Sequence, residues 1–144
     1  MDNRLLLEKV AVHLWQVTVL DECDAIFSKQ VRDRDKWRCA RCRRSFAHSP
    51  CRLHCSHFWG RSTKSTRFDG DNCDAVCEKC HPIWESDKHG DYKIWKVAQL
   101  GKAGYETLER KARSIIKFGA WEQAQKLKEL RNERDLRNTR QTAR

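Results

Sequence analysis

Two Cys-x-x-Cys pairs, Cys39-Ala40-Arg41-Cys42 and Cys77-Glu78-Lys79-Cys80, constrain this chain more than any other feature. In each pair one turn of backbone can offer two thiolates to a single ion, and two pairs complete the tetrahedron that structural Zn²⁺ prefers. Residues 43–76 separate the pairs, a spacing longer than the ~15 to 20 residues of an ordinary zinc ribbon, so a sizeable loop or hairpin must be inserted there. Four thiolates leave no open position for water, so a zinc held this way organises a site and does not itself hydrolyse. Reduced core cysteines, or one redox pair, are the rival readings; two independent pairs are hard to obtain by accident. Eight cysteines in 144 residues also fall below the density of a disulfide-stapled secreted domain. Metal binding in a reducing compartment, a cytoplasm, is the expectation.

Charge points to an anionic partner. Lys and Arg number 30 against 20 Asp and Glu, a formal net charge of +10, which favours nucleic acid over an acidic metabolite. No membrane span is expected. The most apolar stretch, Leu5 to Leu20, is interrupted by Glu8, Lys9, His13 and Gln16 and falls short of the ~20 apolar residues a bilayer needs. It also makes a poor signal peptide, because no small-x-small pattern follows it before Asp21, Glu22 and Asp24.

The sequence divides into an N-terminal helical segment (1–36), a zinc-bound core (37–90) and a basic C-terminal helical hairpin with a frayed tail (91–144). Leu7, Val10, Ala11, Leu14 and Trp15 fit one helix face, although Val17-Thr18-Val19 favours extended structure. Ile26, Phe27 and Val31 predict a short amphipathic helix over 24–34. Short runs and turn residues predict strands and loops from Trp37 to about Trp84. Tyr105, Leu108, Ala112, Ile115 and Ile116 predict one C-terminal helix; after a break at Gly119, Trp121, Ala124, Leu127 and Leu130 predict a second. From Lys102 onward there are 12 basic against 6 acidic residues, most of which read as a solvated helix face.

The insert between the cysteine pairs carries the chemistry: Leu53-His54-Cys55-Ser56-His57-Phe58, a basic loop Gly60 to Arg67, then Phe68-Asp69-Gly70-Asp71-Asn72, and His81 directly after Cys80. A short strand is expected to end at His57, a turn at Gly70, and Asn72 just before a helix bearing the second cysteine pair and His81. His57 and His81 are then expected to face one another across a gap wide enough for a phosphate. The order His57, Asn72, His81, set against Cys77-x-x-Cys80, resembles the zinc-containing HNH endonucleases. The flanks Asp24-x-x-Phe27-Ser28-x-x-Val31-Arg32-x-Arg34-Asp35-x-Trp37-x-Cys39 and Cys55-Ser56-His57-Phe58-x-Gly60-Arg61 are similar to phage HNH proteins, including relatives of the phage recombination-enhancement nucleases.

The resemblance spans about residues 21 to 131 and implies an α+β fold: a small ββα-metal, treble-clef-like core with flanking helices. It implies a metal-dependent DNA endonuclease that hydrolyses phosphodiester bonds to 5′-phosphate and 3′-hydroxyl ends. His57 would be the general base, suited by an ordinary pKa near 6.5. Asn72 would hold that imidazole through its side-chain carbonyl, and His81 would bind one divalent cation, Mg²⁺ in most of the family. Cys39, Cys42, Cys77 and Cys80 would hold the structural Zn²⁺. The family's usual second cation ligand precedes the base; here that position is Ser56, a weak ligand for a hard cation, and His54 shares its strand parity.

Arg61 and Arg67 are candidate phosphate contacts on DNA, with Lys64 an even choice between phosphate and solvent. Cys23, Cys51, Cys55 and Cys73 read as buried small residues. A rival grouping of His48, Cys51, Cys55 and His57 as a second zinc site would consume the base. Two other functions stay open: a non-catalytic zinc-finger DNA-binding protein, and a structure-specific nuclease acting on branched recombination intermediates. The C-terminal helices are candidates for homodimer formation, groove entry or docking on a phage protein partner.

Overall fold

A computed structural model describes residues 3–143. They fold as α+β with four α-helices and one two-stranded sheet. The chain forms two compact units, 1–27 with 117–144, and 28–116. The expected segments 1–36, 37–90 and 91–144 have other bounds than these units, which divide at 27/28, within a helix, and at 116/117, between the two C-terminal helices. Among the described residues no helix is long and apolar enough to cross a membrane.

Helix α1, Asn3–Arg34, is continuous where the sequence suggested two pieces. Nothing between Leu20 and Asp24 breaks a helix: Asp21, Glu22 and Cys23 are tolerated in helix interiors. Thr18 is accommodated by bonding its hydroxyl back to the Leu14 carbonyl at 3.0 Å. In the first unit α4, Ala120–Thr142, packs along α1 up to Phe27. Val19, Cys23, Ile26 and Phe27 are buried in α1, and Gln123, Leu127 and Leu130 in α4. Arg131 forks onto the Glu22 carboxylate at 2.7 and 2.8 Å. The start of α4 is fixed by Glu122 accepting from the Gly119 amide at 3.0 Å, and the helix runs to Thr142.

The second unit contains strands β1, Leu53–His57, and β2, Cys73–Cys77, then α2, Cys80–Ser86, and α3, Asp91–Arg113. The strands are antiparallel, with Leu53 opposite Cys77 and His57 opposite Cys73. Asn72 therefore precedes a strand and not, as expected, the helix that carries His81. Helix α3 is bent at Gly101, whose φ of 71° is a conformation only glycine adopts without strain. It ends at Arg113, so Ile115 and Ile116 lie beyond the helix that their spacing suggested, with Ile115 fully exposed.

An apolar cluster of Leu53, Phe58, Ala75, Val76, Trp84, Tyr92 and Tyr105 ties the sheet to α2 and α3. Trp84 stacks on Tyr92 with centroids 4.2 Å apart, and Phe58 meets Tyr92 edge-on at 5.1 Å. The exposed edge of β2 is covered: Asp35 accepts the Ala75 amide at 2.7 Å, and the Ala75 carbonyl accepts from Ala40 at 2.8 Å. Arg34 reaches the carbonyls of Gly70 and Cys73 at 2.7 and 2.8 Å.

Sequence reading missed a buried polar network behind β2. Lys96 on α3 and Asp74 on β2, both fully enclosed, form an ion pair at 2.7 Å. The Lys96 ammonium also donates to the Asp71 carbonyl at 2.6 Å and to Gln99 at 3.0 Å. Asp74 accepts from Tyr92, Trp95 and Gln99. Burial, with the Asp74 charge beside it, pushes the Tyr92 phenol well above its ordinary value, so it remains a donor. Lys96→Met leaves a buried carboxylate without its cation. It is expected to lower stability by about 3 to 5 kcal/mol, measured by urea unfolding.

Candidate metal centre and active site

The first cysteine pair sits in a tight loop after α1. Lys36, Trp37 and Arg43 take left-handed backbone conformations, with φ of 53°, 55° and 63°. Arg43 donates to the Cys39 carbonyl at 2.9 Å and Cys39 to the Arg44 carbonyl at 3.0 Å, so the chain curls around Cys39 and Cys42. The second pair spans the end of β2 and the first turn of α2. The four sulfurs lie within 4.8 Å of one another, with Cys42 and Cys77 3.9 Å apart. Zn–S bonds of ~2.3 Å in a tetrahedron require sulfurs ~3.8 Å apart, so this cluster fits zinc.

Hydrogen-bond donors reach two of its sulfurs. The Cys39 sulfur accepts from the amides of Cys42 and Cys77 at 3.5 and 3.4 Å, and Arg41 approaches the Cys80 sulfur at 3.9 Å. Burial raises the thiols of Cys39 and Cys80, the latter to about 12. Burial opposes ionisation of Cys77 too, but amide hydrogen bonds from Cys80 and Lys79 outweigh it and bring that thiol down to about 7. Arg41 also bonds Asp91 at 2.9 Å, and Asp91 accepts from the Trp84 indole at 2.9 Å, joining the cluster to the start of α3.

Asn72 is fully buried and acts as a staple on the loop after β1. Its Oδ1 accepts from the Trp59 amide at 2.8 Å; its Nδ2 donates to the carbonyls of Trp59 at 2.9 Å and Thr66 at 3.0 Å. It thereby fixes the loop holding Arg61, Lys64 and Arg67. His57 Nε2 bonds the Arg67 carbonyl at 3.0 Å. The expected imidazole contact to the Asn72 side-chain carbonyl is thus replaced: that oxygen serves Trp59, and a backbone carbonyl in the stapled loop holds the ring. A carbonyl only accepts, so Nε2 carries a proton, and in the neutral ring Nδ1 is the basic nitrogen. Asn72→Ala removes three buried hydrogen bonds at once. An expected loss of about 2 to 4 kcal/mol in urea unfolding, with faster exchange of the Trp59 amide, checks this.

Strand alternation separates the histidines of β1. His57 shares its face with Cys55, and its cross-strand partner is Cys73; ligand atoms of these three buried residues lie within 4.8 Å of one another. His54 is on the other face, and its ring meets that of His81 edge-on with centroids 5.5 Å apart. The residue facing His81 is therefore His54, where His57 was expected. Ser56, on the His54 face, is fully buried and its hydroxyl has no hydrogen-bond partner among the described residues.

His81 is the second residue of α2, half-buried, with Nε2 3.6 Å from Glu85 Oε1 one turn along. Burial lowers its pKa; Glu85 opposes this, while His54, Lys88 and Arg61 reinforce it. A neutral imidazole, able to bind a cation, results. Arg67 has its guanidinium 5.6 Å from the Phe68 ring, and Arg61 and Lys64 are exposed.

The rival grouping with His48 and Cys51 does not assemble. Cys51 is exposed in a 3-10 turn at Pro50–Arg52, contrary to the expectation of burial, and His48 lines a cleft beside Cys42, Cys77 and Cys80. Cys23, Cys55 and Cys73 are buried as expected. The Cys55, His57, Cys73 cluster was legible only as a two-residue spacing on a strand; Cys73 joins it through the register. Comparison with protein-family models, curated proteins and solved structures gave no match to the chain.

Proposed function

We propose that the chain is a metal-dependent DNA endonuclease of the HNH type, with His57 as general base. The observation that supports this best is the orientation of His57. Asn72 locks the loop, the loop offers the Arg67 carbonyl, and that carbonyl holds Nε2 as a donor, which makes Nδ1 the basic nitrogen of the neutral ring. The order of strand, stapled loop, strand and helix around a zinc-competent cluster agrees with the ββα architecture that the sequence resembles.

In this reading His57 Nδ1 accepts a proton from water as it attacks phosphorus, and Arg61 and Arg67 contact phosphate oxygens from the loop. His81, with His54 and Glu85 beside it, would hold the divalent cation; a set mixing imidazoles with one carboxylate suits Mn²⁺ better than Mg²⁺. When bound, the cation supplies charge stabilisation at the leaving 3′ oxygen. The products are 5′-phosphate and 3′-hydroxyl ends.

One observation favours a second reading, a non-catalytic zinc-bound DNA-binding protein. His57 is only 6% exposed and lies on the opposite strand face from the residue that meets His81. Incubating the zinc-loaded chain with supercoiled plasmid, linear duplex and four-way junction, with Mg²⁺ or Mn²⁺, separates the two. The nuclease reading expects strand cleavage, with the junction cut preferentially if the substrate is branched. Salt-sensitive binding of all three DNAs without cleavage would replace it by the second reading.

A further inference from the structure

We propose that Cys55, His57 and Cys73 form a second cation site, selective for a thiophilic ion such as Zn²⁺, and that filling it silences His57. The site itself stands on geometry alone; the silencing rests on the reading of His57 as the base.

Cys55 and His57 are two residues apart on β1, and Cys73 is opposite His57 in the β1–β2 register, so all three point to one face. One ligand atom from each lies within 4.8 Å of the other two, as do those of the four-cysteine cluster. All three residues are buried, with Cys73 fully enclosed. A histidine that binds a metal commonly donates its other ring N–H to a carbonyl, and His57 Nε2 is held on the Arg67 carbonyl at 3.0 Å. One ring nitrogen of His57 is the ligand atom it offers to this cluster. Two of the three donors are sulfur, so the site discriminates strongly between Zn²⁺ and the hard cation expected near His81.

Binding is balanced in charge and protons. Two thiols release two protons as one Zn²⁺ enters, giving a centre with no net charge, which suits its burial. Three donors instead of four make this site weaker than the four-cysteine cluster, so the first equivalent of zinc fills the cluster and the second fills this site. With Nδ1 on zinc, His57 has no lone pair for a water proton. Activity then falls as zinc rises, at constant Mg²⁺ or Mn²⁺.

The test is a titration of the metal-free, reduced full chain with Zn²⁺ against a chromophoric chelator, and in parallel with Co²⁺ followed by sulfur-to-cobalt charge transfer. Plasmid nicking is measured at each equivalent. The wild type is expected to bind two equivalents, and Cys55→Ala and Cys73→Ala one each. Nicking is expected to fall at least about tenfold between one and two equivalents in the wild type, and to stay within about twofold in either variant. Should one variant misfold, the other decides, and the weaker second Co²⁺ charge-transfer step in the wild type needs no variant. A single equivalent in the wild type, or two in both variants, overturns the site. A second equivalent that leaves nicking unchanged overturns the switch. Absence of nicking already at one equivalent defeats the base assignment and the switch built on it, while the stoichiometry still decides the site.

Discussion

Replacing Cys77 with serine is expected to unfold residues 28–116 outright rather than to weaken them. Cys77 closes β2, Cys80 opens α2, and Ala75, two residues before Cys77, carries the link to the first cysteine loop. An ion on the cluster therefore joins the end of α1, the hairpin and α2. Structural zinc sites contribute about 10 to 16 kcal/mol of apparent binding free energy at neutral pH. A whole domain is stable by only about 5 to 15 kcal/mol, so loss of the ion exceeds what the apolar cluster around Trp84 can offset. Near-ultraviolet circular dichroism, which reports the Trp84–Tyr92 stack, should collapse in Cys77→Ser and in wild type treated with a strong chelator. It should return when zinc is restored to the wild type only. A chelated wild type that keeps its near-ultraviolet spectrum and its urea midpoint would show that the cluster is not structural.

His57→Ala is expected to reduce cleavage by about 10²- to 10⁴-fold, the range removed with a positioned general base. DNA affinity should change little, because the phosphate contacts are assigned to Arg61 and Arg67 on the loop. That loop is held by Asn72 through Trp59 and Thr66, which the substitution leaves in place. Comparing single-turnover cleavage with binding at one salt concentration separates the two effects.

Spacing was enough to read the cysteine cluster, because two pairs of thiols with a long insert have few other uses. The strand ending at His57 was legible because turn residues bound a short run of residues there. What failed to be legible depended on register and on partners distant in sequence. Nothing near Lys96 or Asp74 announces that a lysine on α3 will be enclosed against a carboxylate on β2. Asn72 was recognisable as a site residue, but its partners, Trp59 and Thr66, follow from a loop conformation that no periodicity encodes. The pairing of His54 with His81 was hidden behind a missing strand: without β2 before the second cysteine pair, the face that meets α2 could not be assigned. Helix α1 runs through the local β-propensity of residues 17–19 because no breaker lies between its two apolar stretches.

Chemical rescue of His57→Gly tests the role of the imidazole most directly. With zinc held at one equivalent and Mn²⁺ or Mg²⁺ constant, added imidazole should restore plasmid nicking in a saturable way, and a more basic substituted imidazole should restore it faster. The wild type should be indifferent to either. A wild type that never nicks, or a His57→Gly chain whose rate ignores imidazole at every concentration, would contradict the assignment.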